Sequence, residues 1–360
     1  MGTSNLVVEI LRSPTRIASL SLPAWDLLLR QARRADLNAR IYWVLREHGL
    51  LGSVPAKPRI YLDLAWQHAE RQRSAVRWEL NTLWRSLQNL GIRIILLKGA
   101  AYLTANLPSA HGRILSDIDL LVPRDAIDAV ETALIQDGWI ATHRDAYDQR
   151  YYRQWMHEIP PLEHAKRGTV VDIHHAILPL TARIRPDMDK LRAAAIPLAI
   201  PGDFAVLAPS DMVLHSAAHL FYDSELGHGL RDLVDLDALL RHYGSEPAFW
   251  EDLLSRSHAV GLPRALYYAL RYTQCILNTP IPTTIMAQAA ASGPRTWMRS
   301  IMDQLYFRAL IPHHPSCMTM PARIANLLLF IRGHWLRMPL RLLLPHLIRK
   351  TLLAPHDGTP

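Results

Sequence analysis

Cysteine is nearly absent from this 360-residue chain, which has only Cys275 and Cys317. Two scattered thiols cannot build a disulfide framework, and no charged-then-apolar segment opens the chain. The expectation is therefore a protein of the reducing cytoplasm. Long apolar runs are missing too. No stretch reaches the ~18 uninterrupted apolar residues of a membrane span, although 49% of the residues are apolar, ample for a buried core. Acidic residues are missing altogether between Gln304 and His356. Over the whole chain 40 basic residues face 32 acidic ones, a formal charge of +8. That balance favours phosphate-rich partners, or leaves a solvated basic surface, and names no single ligand. The length suggests two or more domains or lobes.

The most informative stretch runs from Arg93 to Val122. Residues Ile92 to Leu97 are apolar and β-branched, as a buried strand should be, and the run stops at Lys98-Gly99 before the helix-like Ala100-Ala101-Tyr102-Leu103. A helix starting at Gly99 would set free N–H groups and a positive dipole end beside the Lys98 ammonium, an anion site suited to phosphate. Ser116-Asp117-Ile118-Asp119-Leu120-Leu121-Val122 then reads as a second strand. Alternation puts Asp117 and Asp119 on one face and the apolar residues on the other. Adjacent carboxylates repel, and a hard cation such as Mg²⁺, which takes one or two carboxylates plus substrate phosphates, would relieve them.

These residues resemble the DNA polymerase β-like nucleotidyltransferase superfamily, in particular its bacterial branch of uncharacterised nucleotidyltransferases. The resemblance rests on Leu96-Leu97-Lys98-Gly99-Ala100-Ala101, on Arg113 with Ser116 to Val122, on Gly138-Trp139 and on Val170-Val171-Asp172-Ile173-His174. The Lys-Gly turn and the Arg…Ser-x-Asp-x-Asp-Leu strand are also similar to those of abortive-infection toxin nucleotidyltransferases. The likeness implies Asp172 as a third carboxylate, so that Asp117, Asp119 and Asp172 hold Mg²⁺ (or Mn²⁺) and serve catalysis. It further implies that Lys98, Gly99, Arg113, Ser116 and His174 bind the nucleotide. One departure stands out: most of the superfamily has Gly-Ser or Gly-Gly at the turn, where this chain has Lys98-Gly99-Ala100 and no hydroxyl.

Around that core, residues 1–90 read as a helical region. Asp36 is placed to cap one helix, and Val76, Leu80, Leu83, Leu87 and Leu90 line the apolar stripe of a long one, opposite Arg71, Arg73, Arg77 and Arg85. The core itself spans 91–205. After the second strand, Ile127, Val130 and Leu134 predict a helix ending at Gly138, followed by a strand over Trp139 to His143. Residues 144–157 carry Tyr147, Tyr151, Tyr152 and Trp155 and read as a base-stacking loop or a packed lid. A hairpin turning at Lys166-Arg167-Gly168 follows, with Asp172 and His174 on one face of its second arm. A helical lobe over 206–300 opens with Ser210-Asp211 as a cap and carries His215 and His219 one turn apart. No adjacent glutamate completes a zinc-protease motif there. In the resembled family such a lobe covers the nucleotide, with His215, His219, Arg231 and Asp232 as polar anchors. Residues 301–360 form a basic amphipathic segment, expected to pack its apolar stripe inward with arginines outward; peripheral membrane contact is the alternative.

The fold class expected is α+β, a nucleotidyltransferase-type mixed sheet flanked by N- and C-terminal helical lobes. The expected activity is Mg²⁺-dependent transfer of a nucleoside monophosphate from a nucleoside triphosphate to an acceptor hydroxyl. The acceptor, whether small molecule, protein or RNA, has no readable code in the chain. An RNA-directed toxin and a non-catalytic nucleotide-binding or membrane-associated accessory protein are the rival readings.

Overall fold

A computed structural model describes residues 5–142, 145–200 and 203–339. Four helices lead the chain: α1 (Leu6–Arg12), α2 (Leu22–Arg34), α3 (Asn38–Glu47) and the long α4 (Ala56–Leu87). Helix α4 starts earlier than its stripe suggests because Pro58 sits in its first turn, where a missing N–H breaks no helical bond. Val76, Leu80, Leu83 and Leu87 are buried as expected. Two details differ. Arg73 is buried beside Glu70 and does not join the solvated arginine face. Asp36 does not cap α3, whose N-cap is Leu37; it takes a left-handed φ of 55° and pairs with His228 Nδ1 at 3.1 Å.

The middle of the chain alternates β1 (Ile94–Leu96), α5 (Lys98–Thr104), β2 (Asp117–Leu121), α6 (Ile127–Gln136), β3 (Trp139–Ala141), α7 (Ala146–Trp155), β4 (Leu162–His164), β5 (Val170–His174), α8 (Met188–Ala193), β6 (Ile196–Pro197) and β7 (Phe204–Val206). The strands form one mixed seven-stranded sheet in the order β3-β4-β5-β2-β1-β7-β6. Strand β2 runs parallel to β5 and β1 parallel to β7, while the other neighbours are antiparallel. The molecule is thus α+β, as expected. Strand β3 ends at Ala141, and His143 of the expected strand lies outside the described residues. The polar and aromatic stretch after it forms helix α7, not a loop. The hairpin turn has Gly168 at φ 67°, a left-handed position that favours glycine.

The second helical part comprises α9 (Pro209–Tyr222), α10 (Gly229–Tyr243), α11 (Pro247–Ala259), α12 (Pro263–Leu277), α13 (Thr283–Ala290), α14 (Thr296–Ala309) and α15 (Met320–Arg337). Helix α9 is buried almost throughout because α10, α11, α12 and α15 surround it. Ser210 and Asp211 lie within its first turn and are not its cap: Ser210 Oγ donates to Asp252 at 2.5 Å, and Arg256 grips Asp211 at 2.7 and 2.8 Å. A single buried apolar cluster draws residues from α1 through the sheet to α15.

Helix α15 reverses the expected packing. Its inward residues are Ala322, Ala325, Leu329 and Gly333, while Ile324, Leu327, Leu328 and Ile331 are exposed. Two of its arginines turn inward: Arg332 donates to Phe221 O at 2.9 Å, and Arg337 pairs with Asp223. Arg341, Pro345, Arg349, Lys350 and the terminal residues from Asp357 lie outside the described residues.

Candidate active site

Strand register builds the site. In the parallel β2–β5 pair Asp119 lies directly beside Asp172, and Asp117 beside Val170. Antiparallel pairing of β1 with β2 brings the end of β1 alongside, with Leu97 N donating to Asp119 O at 3.0 Å. Lys98 follows at once. It takes a left-handed φ of 44°, a conformation that costs a non-glycine residue about 1–3 kcal/mol and needs surrounding structure to hold it. Its ammonium lies 2.9 Å from Asp119 Oδ1.

His174, two residues beyond Asp172 on β5, donates from Nε2 to the same Asp119 oxygen at 3.0 Å. Its Nδ1 faces Glu158 Oε2 at 3.3 Å without hydrogen-bond geometry, and His157 lies beside both, its ring 5.2 Å from that of His174. Asp119, Asp172 and His174 present ligand atoms within 4.8 Å of one another, and so do His157, Glu158 and His174. Among the described residues these are the two such groups, and neither includes His215 or His219. Asp117 sits at the more open end of the row, half-buried, its Oδ1 accepting from Ser116 Oγ at 3.0 Å.

Burial and charge split the carboxylates. Burial pushes Asp119 upward, but the Lys98 charge and the bond from His174 overcome it and hold the group well below the usual carboxylate range. Asp172 has no such partner. Burial first, and the Asp119 charge second, push it up to about 7. Its Oδ1 is buried with no hydrogen-bond partner. Burial would lower Lys98 and His174, yet the surrounding carboxylates raise both, Lys98 chiefly through Asp119, so the ammonium stays charged. On α9, burial and the Lys98 charge depress His215 and His219, which favours neutral imidazoles. His219 also lies 3.8 Å from Asp232, itself bound by Arg231 at 3.1 Å.

Gly99 and Arg113 serve the scaffold. Helix α5 begins at Lys98 and has seven residues. A Cβ on Gly99 would meet Arg113 Nη1 and Leu115 Cδ2 at 2.4 Å, so only glycine allows that approach. Arg113 is buried in a 2.6 Å ion pair with Asp235 of α10, which Arg40 joins at 3.6 Å. In this state Arg113 ties the sheet to the helical lobe and is not presented to a phosphate.

A cleft of about 420 Å³ opens beside Ser116 and Asp117, walled by Trp78, Leu115, Arg167 and Thr169. Arg167 stacks over Trp78 at 5.6 Å and holds the buried Glu79 at 2.7 Å. His157 closes the polar stretch 144–157 and Glu158 falls between that stretch and the hairpin, so neither stands out in the sequence. The available signal was their place just before Ile159-Pro160, from which Glu158 bridges to His174 at the end of β5.

A family model described as uncharacterised nucleotidyltransferase matches residues 21–278, more than half of the chain and all of the site described above. No curated protein and no solved structure matches the chain.

Proposed function

Because the chain belongs to the family of uncharacterised nucleotidyltransferases, we propose that it transfers a nucleoside monophosphate from a nucleoside triphosphate to an acceptor hydroxyl. The observation that carries this reading is Asp119 beside Asp172 in register, with the Lys98 ammonium at the adjoining turn. The donor set fits a hard divalent cation: the orphaned Asp172 Oδ1 lacks a partner that such an ion would supply, and the ion would offset the burial and the Asp119 repulsion that raise this group. Asp119 and Asp172 would hold it, with Asp117 joining from the open end of the row and His174 fixing the Asp119 oxygen. Bound there, Mg²⁺ would offset charge on the triphosphate and favour ionisation of the acceptor hydroxyl.

The residues of the chain have the remaining tasks. Once Asp119 is neutralised otherwise, Lys98 is released from its 2.9 Å pairing and can reach phosphate oxygens from the same turn. The acceptor oxygen then bonds to the α-phosphorus while the bond to the bridging oxygen breaks, and pyrophosphate leaves. The hydroxyl proton passes to the Asp172 carboxylate, through the oxygen that the cation leaves free. Neutral His215 and His219 add no charge against the nucleotide, and Arg113 keeps the lobe in place through Asp235. The cleft beside Asp117 offers the exposed face of Trp78 to the acceptor.

The test is a pair of labels. Incubation with cell extract and a triphosphate labelled at the α-phosphorus should place label on an acceptor, whereas the γ-label should appear in pyrophosphate alone. Transfer of the γ-label to an acceptor would make the protein a kinase instead, and no transfer of either label would remove the catalytic reading.

A further inference from the structure

The reversed helix α15 carries an inference independent of catalysis. A soluble helix normally turns its leucines inward. Here Ile324, Leu327, Leu328, Ile331 and Trp335 are each between 45% and 57% exposed, at spacings that put them along one stripe. Packing leaves no room for the opposite rotation. Apart from Leu329 the inner face is made of small residues, and a Cβ on Gly333 would lie 2.5 Å from Asp223 O, so backbone meets backbone there. The inward arginines are also fixed, Arg332 to Phe221 O and to the Tyr306 hydroxyl at 3.1 Å, and Arg337 to Asp223. The stripe therefore faces outward by construction.

Helix α14, packed against α15, adds exposed Trp297 and Ile301. Its Asp303 is neutralised by Arg271 at 2.6 Å. Arg308 and Arg323 are exposed on the two helices, and the sequence holds no acidic residue from Gln304 to His356. At the end of the stripe the Arg183 guanidinium stacks on the Trp335 indole at 4.1 Å, a cation and an aromatic ring together at the surface. A second copy of the chain would bring the same positive charge to such a contact, whereas anionic headgroups complement it.

We propose that the α14–α15 face docks on an anionic lipid bilayer, with the leucine and isoleucine stripe in the headgroup–acyl boundary and the arginines among the headgroups. The contact is peripheral, since no helix among the described residues is long and apolar enough to cross a membrane. Tryptophan at both helices suits the interfacial depth.

Flotation of the full chain with phosphatidylcholine vesicles, with and without phosphatidylglycerol, tests this. The expected result is binding to the anionic vesicles at physiological salt and none to the neutral ones. A Leu327→Glu/Ile331→Glu variant should bind about an order of magnitude or more weaker, with melting temperature and nucleotide binding unchanged because both side chains are exposed. No binding to anionic vesicles even at low salt would overturn the proposal. So would a double variant that floats like the parent, which would leave the rest of the basic segment as the lipid contact. A dimer in light scattering that the double variant dissolves, without vesicle binding, would make the face an interface between copies. None of these readouts needs turnover, so their failure is separable from failure of the nucleotidyl-transfer reading.

Discussion

Replacing Lys98 by methionine probes the pairing at the centre of the site. The substitution keeps most of the side-chain volume and removes the ammonium 2.9 Å from Asp119 Oδ1. Asp119 is 3% exposed at its side chain and Lys98 20%, so the lost partner leaves an almost fully buried carboxylate. Removing one member of a buried pair costs about 3–5 kcal/mol, and the lower end applies here because His174 still donates to the same oxygen. The pH dependence has a definite sign. Asp119 is depressed in the folded state, so its contribution is present above the unfolded carboxylate pKa and disappears as pH falls through the folded value. Without Lys98 the depression shrinks, and acid unfolding should begin at higher pH than in the parent. Mg²⁺ should reverse the defect. A cation at a hundred times its dissociation constant stabilises by about 2.7 kcal/mol, and in Lys98→Met it no longer competes with the ammonium for Asp119. The assay is urea unfolding across pH 4 to 8 with and without MgCl₂, together with triphosphate binding, which should weaken. Equal stability of variant and parent, with equal responses to Mg²⁺, would refute both the counterion role and the exchange of lysine for metal.

Asp119→Asn should abolish nucleotidyl transfer and also destabilise the protein, because it unpairs Lys98 and His174 together, whereas Asp117→Asn should impair transfer with little change in unfolding, since Asp117 accepts one bond from Ser116 at a half-exposed position. Asp172, raised to about 7, holds a proton in the folded state that the unfolded chain has released by about pH 4. Its contribution to the stability of the metal-free protein therefore falls as pH rises from about 4 to 7, by at most about 1.4 kcal/mol per pH unit; Asp172→Asn should remove this component, and an unchanged pH profile would place the raised group elsewhere. Gly99→Ala should cost about 1–3 kcal/mol in thermal or urea unfolding, because its Cβ would displace the buried Arg113 guanidinium and Leu115.

What the residues disclose unaided is the frame of the site. Apolar β-branched runs, glycine at the turns and a three-to-four-residue stripe locate β1, β2, the β4–β5 hairpin and α4. Asp172 joins Asp117 and Asp119 only through the family resemblance. Register is another matter. Nothing local sets Asp119 opposite Asp172, nor brings His174 onto the same oxygen, because those distances depend on the crossover through α6, β3 and α7 between the two strands. The caps fail for a related reason. Asp36, Ser210 and Asp211 are good capping types, yet each has a distant partner, His228, Asp252 and Arg256 respectively, that a local rule does not contain. Arg113 resembles a phosphate ligand in sequence and becomes a buried tie to Asp235 once α10 is in place.

Helix α15 marks the limit of periodicity most sharply. A stripe of leucine and isoleucine opposite arginine defines two faces but carries no information about which face meets the protein. That choice falls to small residues and backbone. Gly333 lets α15 approach the chain just beyond α9 closely, and that end offers the Phe221 carbonyl and the Asp223 carboxylate to Arg332 and Arg337. Carbonyl groups at a helix C-terminus favour cations. With the arginines bound there, rotating the helix to bury Leu327 and Ile331 would break those contacts and drive larger side chains into the Asp223–Ser224 backbone. Two of the charges expected to solubilise this helix, Arg332 and Arg337, are thus groups that hold it, and most of the apolar residues expected to hold it form the surface it presents.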